Sequence, residues 1–361
     1  MRLRYLEQLS FWRGKKVFVT GHSGFKGSWL TMWLNHLGAD LTGVSLQPAT
    51  DPNLFSLCAL EKRSNSHFID IRNSDSLAKI MKQYNPEIIF HLAAQPIVRK
   101  SYLDPLTTFN TNVMGTVNIL NGMRELSNLR SSVIITTDKV YENLENHRPY
   151  IESDKLGGYD PYSASKAASE IVVSSYCRSF MRERGVAISC ARAGNIIGGG
   201  DWSEDRLLPD AVRAWSSNKI LKIRSPNSVR PWQHVLEPLF GYMLLAQKQW
   251  ESPELAGAFN FGPEPDMAFT VRNVAELAQS YYGSGQLDFG NEKDTTMHEA
   301  EFLLLNIEKS KTLLNFKPLW SVKKSIKKSI EWYQAYYKNV DAYGLCMENI
   351  IDYETSIGEI L

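Results

Sequence analysis

The sequence predicts an α/β protein, a doubly wound parallel sheet followed by a smaller C-terminal α/β lobe, and three observations carry that prediction. Short β-branched runs alternate with longer stretches of helical spacing through the first 193 residues, the pattern of successive strand–helix–strand units. A glycine-rich turn, Thr20-Gly21-His22-Ser23-Gly24-Phe25-Lys26-Gly27, lies between the first strand candidate and the first helix candidate. After Ala193 the pattern changes to Gly198-Gly199-Gly200, Pro209, Pro226, Pro231 and isolated tryptophans, which marks where the chain leaves the sheet.

Taken in order, strands are expected at Lys16–Thr20, Leu41–Leu46, Ser66–Asp70, Ile88–Leu92, Ser132–Thr137 and Val186–Ala191. Apolar residues recur at helical spacing in Gly27–Leu37, Ser74–Tyr84, Leu106–Leu126 and Tyr162–Arg184, so six strands with crossover helices form the sheet. Beyond it, a strand-like Ala258–Phe261 and helices Val271–Tyr282 and Val322–Tyr337 are expected. The division that follows is a dinucleotide domain over 1–193, with returning segments near 231–262, and a mainly substrate-binding lobe over 194–361. The last twenty or so residues, rich in Glu, Asp and Asn, suit either a docked helix or a loose tail.

Composition narrows the function. With 43% apolar and 22% charged residues over 361 positions, the chain has ordinary soluble composition and can bury a substantial core. A net charge of +1 offers no global field for nucleic acid or anionic membrane, so the expected partner is a small molecule. Cys58, Cys177, Cys190 and Cys346 are scattered without metal-site or redox spacing, which predicts no metal and a reduced, cytoplasmic setting. No stretch approaches the roughly 20 apolar residues of a spanning helix, and no signal peptide is expected.

The glycines at 21, 24 and 27 permit a tight turn, close approach of backbone to a pyrophosphate, and close helix–strand packing, with the helix N-terminus aimed at the anion. Tyr162 and Lys166 are four apart in a helical pattern and share a face. An ammonium and an oxidised nicotinamide beside the phenol would lower its pKa from about 10 toward neutrality, so that Tyr162 can remove an alcohol proton. Thr137 ends the preceding strand, and Asp138 and Lys139 follow it at once. An acid and a base there can eliminate water next to a new ketone, a step that simple alcohol oxidation does not need.

The three-and-three glycine spacing and the Tyr-x-x-x-Lys run resemble the short-chain dehydrogenase/reductase (SDR) superfamily, a Rossmann fold, in its extended branch. Two further runs are similar to it: Asp70-Ile71, in the place of an adenine-contacting pair, and His91-Leu92-Ala93-Ala94, in the place of a cofactor-supporting turn. The resemblance implies cofactor contacts at Gly21, His22, Gly24, Phe25, Gly27, Asp70, Ile71, Leu92, Ala93, Ala94, Tyr162 and Lys166, and a hydrogen bond from Thr137 to the reacting oxygen. Val44-Ser45-Leu46-Gln47 offers neither a carboxylate for a ribose 2′-hydroxyl nor an arginine for a 2′-phosphate, and NAD is expected chiefly because the implied reaction returns its hydride.

Thr137-Asp138-Lys139 resembles the Thr-Asp-Glu of nucleotide-sugar 4,6-dehydratases, and the lysine is similar to the subgroup acting on CDP-glucose. Supporting runs include Gly157-Gly158-Tyr159-Asp160-Pro161-Tyr162-Ser163, Arg192-Ala193-Gly194-Asn195-Ile196-Ile197-Gly198 and Arg230-Pro231-Trp232-Gln233-His234. The resemblance spans about residue 12 to beyond 320 and implies a lyase of deoxysugar biosynthesis, feeding bacterial surface polysaccharide such as O-antigen lipopolysaccharide. Candidate substrate contacts are Arg206 and Arg230 at the phosphates, Asn195 at a phosphate or sugar oxygen, and Gln95 and Arg99 at the sugar, while His234 is expected to be structural or near the diphosphate. A homodimer built on Leu106–Leu126 and Tyr162–Arg184 is also implied. The readings left open beside it are a C4 epimerase, which leaves Asp138 and Lys139 idle, a dehydratase for another nucleotide sugar, and a non-catalytic cofactor sensor.

Overall fold

In the computed structural model, which describes residues 9–145, 148–264, 268–290 and 300–360, seven strands form one parallel sheet. They are β1 (Lys16–Thr20), β2 (Asp40–Ser45), β3 (Asn65–Phe68), β4 (Ile88–His91), β5 (Ser131–Ile135), β6 (Ala187–Ala193) and β7 (Ala258–Phe261), in the spatial order β7-β6-β5-β4-β1-β2-β3. The strand order reverses between β1 and β4, and the C-terminal ends there form the crevice where doubly wound sheets bind ligands. One buried chain of side chains closes the base of that crevice. The Thr116 hydroxyl donates to the Asn112 carbonyl at 2.7 Å, so it accepts the His91 Nε2 proton at 3.1 Å. His91 Nδ1 then accepts from the Thr20 hydroxyl at 2.7 Å, and Thr20 Oγ1 accepts the Ala93 amide at 3.1 Å. Burial, and after it the charge of Lys166, pushes His91 down to about 3, so the ring is neutral.

The sheet is one strand wider than the six counted from sequence. Ala258–Phe261 pairs with β6 in parallel register, Ala258 opposite Cys190 and Phe261 opposite Ala193. Its crossover is a helix, Leu236–Glu251, that sequence reading did not find. Thirteen of its sixteen residues are buried, so it is apolar nearly all round and shows no helical stripe. Its buried Gln249 is fully matched: Nε2 donates to Ser131 Oγ and the Ser132 carbonyl, and Oε1 accepts from Ser189 Oγ. The two long helices are also divided. Pro105–Phe109 and Gly115–Met123 are joined by a π turn, Asn110–Met114, and Pro161–Tyr176 passes into another, Cys177–Met181. The first turn aims Asn112 inward, where it holds the Gln95 backbone and Ser165 Oγ.

The chain end is a docked helix, Ala342–Ile360, and not a loose tail. Glu237, 1% exposed at the start of the crossover helix, accepts from the Leu319 and Trp320 amides and the Tyr353 hydroxyl. Three donors thus converge on one buried carboxyl, and removing it leaves each of them without a partner. Glu237→Ala is expected to lower the unfolding free energy by about 2–5 kcal/mol in urea titrations and to speed amide exchange in the C-terminal helix first.

Candidate active site

At the end of β1 the backbone approaches itself too closely for any side chain. A Cβ on Gly21, whose φ is +75°, would lie 2.7 Å from the Ala93 nitrogen, and one on Gly27 would lie 2.0 Å from the Gly21 carbonyl oxygen. Gly24, in contrast, is exposed and meets only the Gly21 carbonyl. It is the N-cap of Phe25–His36, and no side chain bonds the first amides of that helix. An open glycine face in front of a helix N-terminus with uncapped amides fits the pyrophosphate of a dinucleotide. Ser45 Oγ donates to Ser23 Oγ and Ser23 Oγ to the Leu46 carbonyl, both at 2.8 Å, which ties the turn to β2.

Two expected cofactor contacts are available through backbone alone. The His22 ring is fully buried, held by Ser66 Oγ at 3.1 Å and packed between Phe55 and Phe68, so it supports the turn from below. Burial lowers it to about 4. Ile71 is 4% exposed and packs over Gly115, while the Asp70 carboxylate is paired with Arg72 at 2.6 Å. Leu92 and Ala93 run alongside Gly21, the Leu92 amide bonding the Thr20 carbonyl at 3.1 Å.

Next to this turn, β5 ends at Ile135, and Thr137 caps the tight turn Asp138–Val140 by accepting the Lys139 amide. The Pro161–Tyr176 helix starts with Asp160 as its N-cap, accepting the Ser163 amide at 2.9 Å, and carries Tyr162 and Lys166 toward the same point. Thr137 Oγ1 donates to Asp138 Oδ1 at 3.0 Å and lies beside the Tyr162 phenol, whose ionised form it favours. Lys139 Nζ is 3.5 Å from Asp138 Oδ1 and about a third exposed, whereas Asp138 is 1% exposed. Asp138 Oδ2 is buried with no hydrogen-bond partner among the described residues. Thr137, Asp138, Lys139, Tyr162 and Lys166 are therefore one cluster.

The expected lowering of Tyr162 is not a property of the chain alone. Burial raises the phenol, and the Thr137 hydroxyl and the Arg206 charge only oppose that. Lys166 Nζ instead donates to the Ile135 carbonyl at 2.8 Å; burial lowers it to about 8 against the pull of Glu170.

The substrate-side residues separate into two groups. Arg206 acts electrostatically on Tyr162, and its Nη2 lies 3.5 Å from the Pro96 carbonyl. Arg99 joins the same rim through Asp205 at 3.8 Å. The Asn195 Oδ1 is buried and unpartnered among the described residues. Arg230 is 3% exposed and bonds the Val229 and Ala300 carbonyls, which makes it a brace of its loop. Gln95 is likewise braced, its amide bonded to Ile97 and Thr108 at both ends. His234 is fully buried against Trp29 and Trp320, its Nδ1 accepting the Leu236 amide, so packing and a backbone bond hold its ring.

Three features escaped the sequence reading. Lys26, in the glycine turn itself, faces Lys166, Arg206 and Asp138; burial and then those two cations lower it to about 7. Its residue type was visible, but its direction was not. Tyr242 on the Leu236–Glu251 helix is fully buried and is raised further by Tyr162 and Asp138. Behind the cluster, Arg192 forks onto Glu170, which also accepts the Thr136 hydroxyl at 2.7 Å.

Residues 18–329 match the family model described as GDP-mannose 4,6-dehydratase. The chain is 42% identical over 95% of its length, and 97% of the relative's, to CDP-glucose 4,6-dehydratase of Salmonella typhimurium. It is 26% identical to UDP-glucose 4-epimerase of Mycoplasma pneumoniae, over 90% of this chain and 98% of that one. Among solved structures, a UDP-glucose 4-epimerase from Thermotoga maritima superposes with a TM-score of 0.76 at 19% identity, covering 89% of this chain and 99% of that one, which establishes a shared fold. The glycine turn, the Thr-Asp-Lys cluster and the length of the match agree: the chain belongs to the GDP-mannose 4,6-dehydratase family.

Proposed function

We propose that this chain is a nucleotide-sugar 4,6-dehydratase that takes CDP-glucose to CDP-4-dehydro-6-deoxyglucose and water, with NAD as the bound dinucleotide. The observation that carries it is the buried Asp138 carboxyl, bonded to Thr137 beside the Tyr162 phenol and bordered by Lys139. The similarity to the Salmonella enzyme supports the cytidine nucleotide and the sugar. When bound, the nicotinamide supplies a reversible store for one hydride.

The chain's residues handle the protons. Tyr162 removes the C4 hydroxyl proton as that carbon is oxidised, leaving a 4-ketone. The ketone acidifies the C5 proton, which Lys139 takes, while Asp138 Oδ2 gives a proton to the C6 hydroxyl and water leaves. After reduction at C6, Lys139 returns its proton to C5. Tyr162 has then gained the proton that Asp138 has lost, and the Thr137 hydroxyl, bonded to Asp138 and beside the phenol, offers the route that resets them. Residues 1–193, with returning segments near 231–262, form the cofactor side in this reading, and the rest of 194–361 forms the sugar-nucleotide side. Arg206, Arg99 and Asn195 are assigned to the substrate diphosphate and sugar.

Purified protein incubated with CDP-, dTDP-, GDP- and UDP-glucose or mannose should form an alkali-absorbing 4-keto product from CDP-glucose preferentially. Asp138→Asn should cut that product by roughly 100-fold or more while sparing C4 oxidation. Turnover of another nucleotide sugar in its place, or full activity of the variant, would overturn the assignment.

Tyr162→Phe removes the base but keeps the ring, and kcat should fall by about 10²–10⁴ with cofactor affinity nearly unchanged in calorimetry. We also assign a homodimer. Leu103, Leu106 and Ile171 are 81%, 80% and 62% exposed on the helices flanking Tyr162, joined by Phe109 and Phe180, an apolar surface suited to a second copy. Leu106→Glu combined with Ile171→Glu should convert the dimer to a monomer in light scattering.

A further inference from the structure

Gly194 follows β6 and presses on the catalytic cluster from the side opposite Thr137. A Cβ built on it would lie 2.1 Å from Asp138 Oδ2, 2.7 Å from Asp138 Cγ and 2.6 Å from Pro231 Cγ. Its φ is not in the left-handed region, so any residue can adopt its backbone; what glycine supplies here is space. Nor is the backbone free to recede. Gln233 Nε2 donates to the Gly194 carbonyl at 3.3 Å and to the Phe261 carbonyl at 3.0 Å, and the Gln233 amide bonds the Asn195 carbonyl at 3.2 Å. A side chain at 194 must therefore displace the Asp138 carboxyl or the Pro231 ring.

Asp138 has little slack. Its Oδ1 is held by Thr137 and Lys139, and its Oδ2 is the only carboxyl oxygen left to meet a substrate hydroxyl. A methyl at 194 would have to move that oxygen by more than about 1 Å, a misplacement of the size that costs roughly 100-fold in rate. None of the three atoms nearest a Cβ at 194 belongs to Tyr162. We infer that Gly194 is a positioning residue that decides the outcome of the reaction: glycine lets the site proceed to water loss, and any larger residue stops it after oxidation at C4. This rests on the reading of Asp138 as the acid that releases water.

The test compares wild type, Gly194→Ala, Asp138→Ala and the double variant, each as full-length protein with NAD and CDP-glucose. Single-turnover absorbance of the reduced cofactor reports C4 oxidation, and the alkali-absorbing ketone reports dehydration. Gly194→Ala should oxidise within about 5-fold of wild type, accumulate reduced cofactor, and lose dehydration by about 50-fold or more. In the Asp138→Ala background, where the displaced carboxyl is gone, the same substitution should change the residual rate by less than about 3-fold. The inference is overturned if Gly194→Ala makes product near the wild-type rate, loses oxidation and dehydration equally, or costs the same factor in both backgrounds. If Gly194→Ala does not melt cooperatively but the double variant does, the clash is with Asp138, as inferred; if neither folds, Gly194 only serves packing. Failure of the wild type to convert CDP-glucose is a different outcome, since it removes the parent reading.

Discussion

The catalytic cluster is held in one frame by a buried ion pair. Arg192 on β6 and Glu170, one turn beyond Lys166, are 3% and 5% exposed and joined by a bidentate fork. Burying both charges costs more than their attraction returns unless their remaining hydrogen-bond sites are filled. Here they are: Glu170 accepts the Thr136 hydroxyl, and Arg192 donates to the Tyr141 hydroxyl at 2.8 Å and the Glu152 carbonyl at 3.1 Å. Tyr141 continues to Asn260 on β7 at 2.6 Å. One charge pair thus connects β5, β6, β7 and the Tyr162 helix, and removing either partner would strand the other. Its value lies in geometry: Thr136 adjoins Thr137, and Glu170 raises the Lys166 ammonium that burial lowers.

In front of this frame the balance of charge runs the other way. Lys26 faces Lys166 and Arg206 as well as Asp138, and Lys139 borders the same carboxyl; burial first and then the two cations lower Lys26 to about 7, while burial lowers Lys166 to about 8. In a partly dehydrated crevice such repulsion is large, because the effective dielectric is far below that of water. Anionic ligands relieve it. A dinucleotide pyrophosphate and a substrate diphosphate bring the missing negative charge, so the formal charge of +1 over the whole chain conceals a strongly cationic site.

Sequence made the elements with strong local chemistry legible. Ser74–Tyr84 and Val271–Tyr282 match their expected bounds because Asn73 caps the first and a Thr270/Asn273 capping box starts the second. The glycine turn and the Thr137–Lys139 and Tyr162–Lys166 runs were legible because their chemistry is consecutive or one helical turn apart. What depended on tertiary surroundings was not. The Leu236–Glu251 helix has no polar face to give it away, the two π turns alter the ladder without altering composition, and Gln95 is a polar residue whose partners include Thr108 on a later helix. Lys26 and Gly194 lay inside quoted motifs, yet only coordinates show which atoms they confront.

The phenol at the centre of the site is a poor base by the chain's own making. Burial raises Tyr162, and the groups that counter it, Thr137 and Arg206, do not overcome that. Lys166 contributes little here, because its Nζ is turned to the Ile135 carbonyl. Ionising the phenol therefore requires additional positive charge close to its oxygen, which the chain does not itself place there. In the function proposed, that charge arrives only with an oxidised nicotinamide, the same condition under which C4 can surrender a hydride. Deprotonation and hydride loss are then tied to one electrostatic event, and a sugar alcohol entering a site with a reduced cofactor meets a neutral phenol that cannot take its proton.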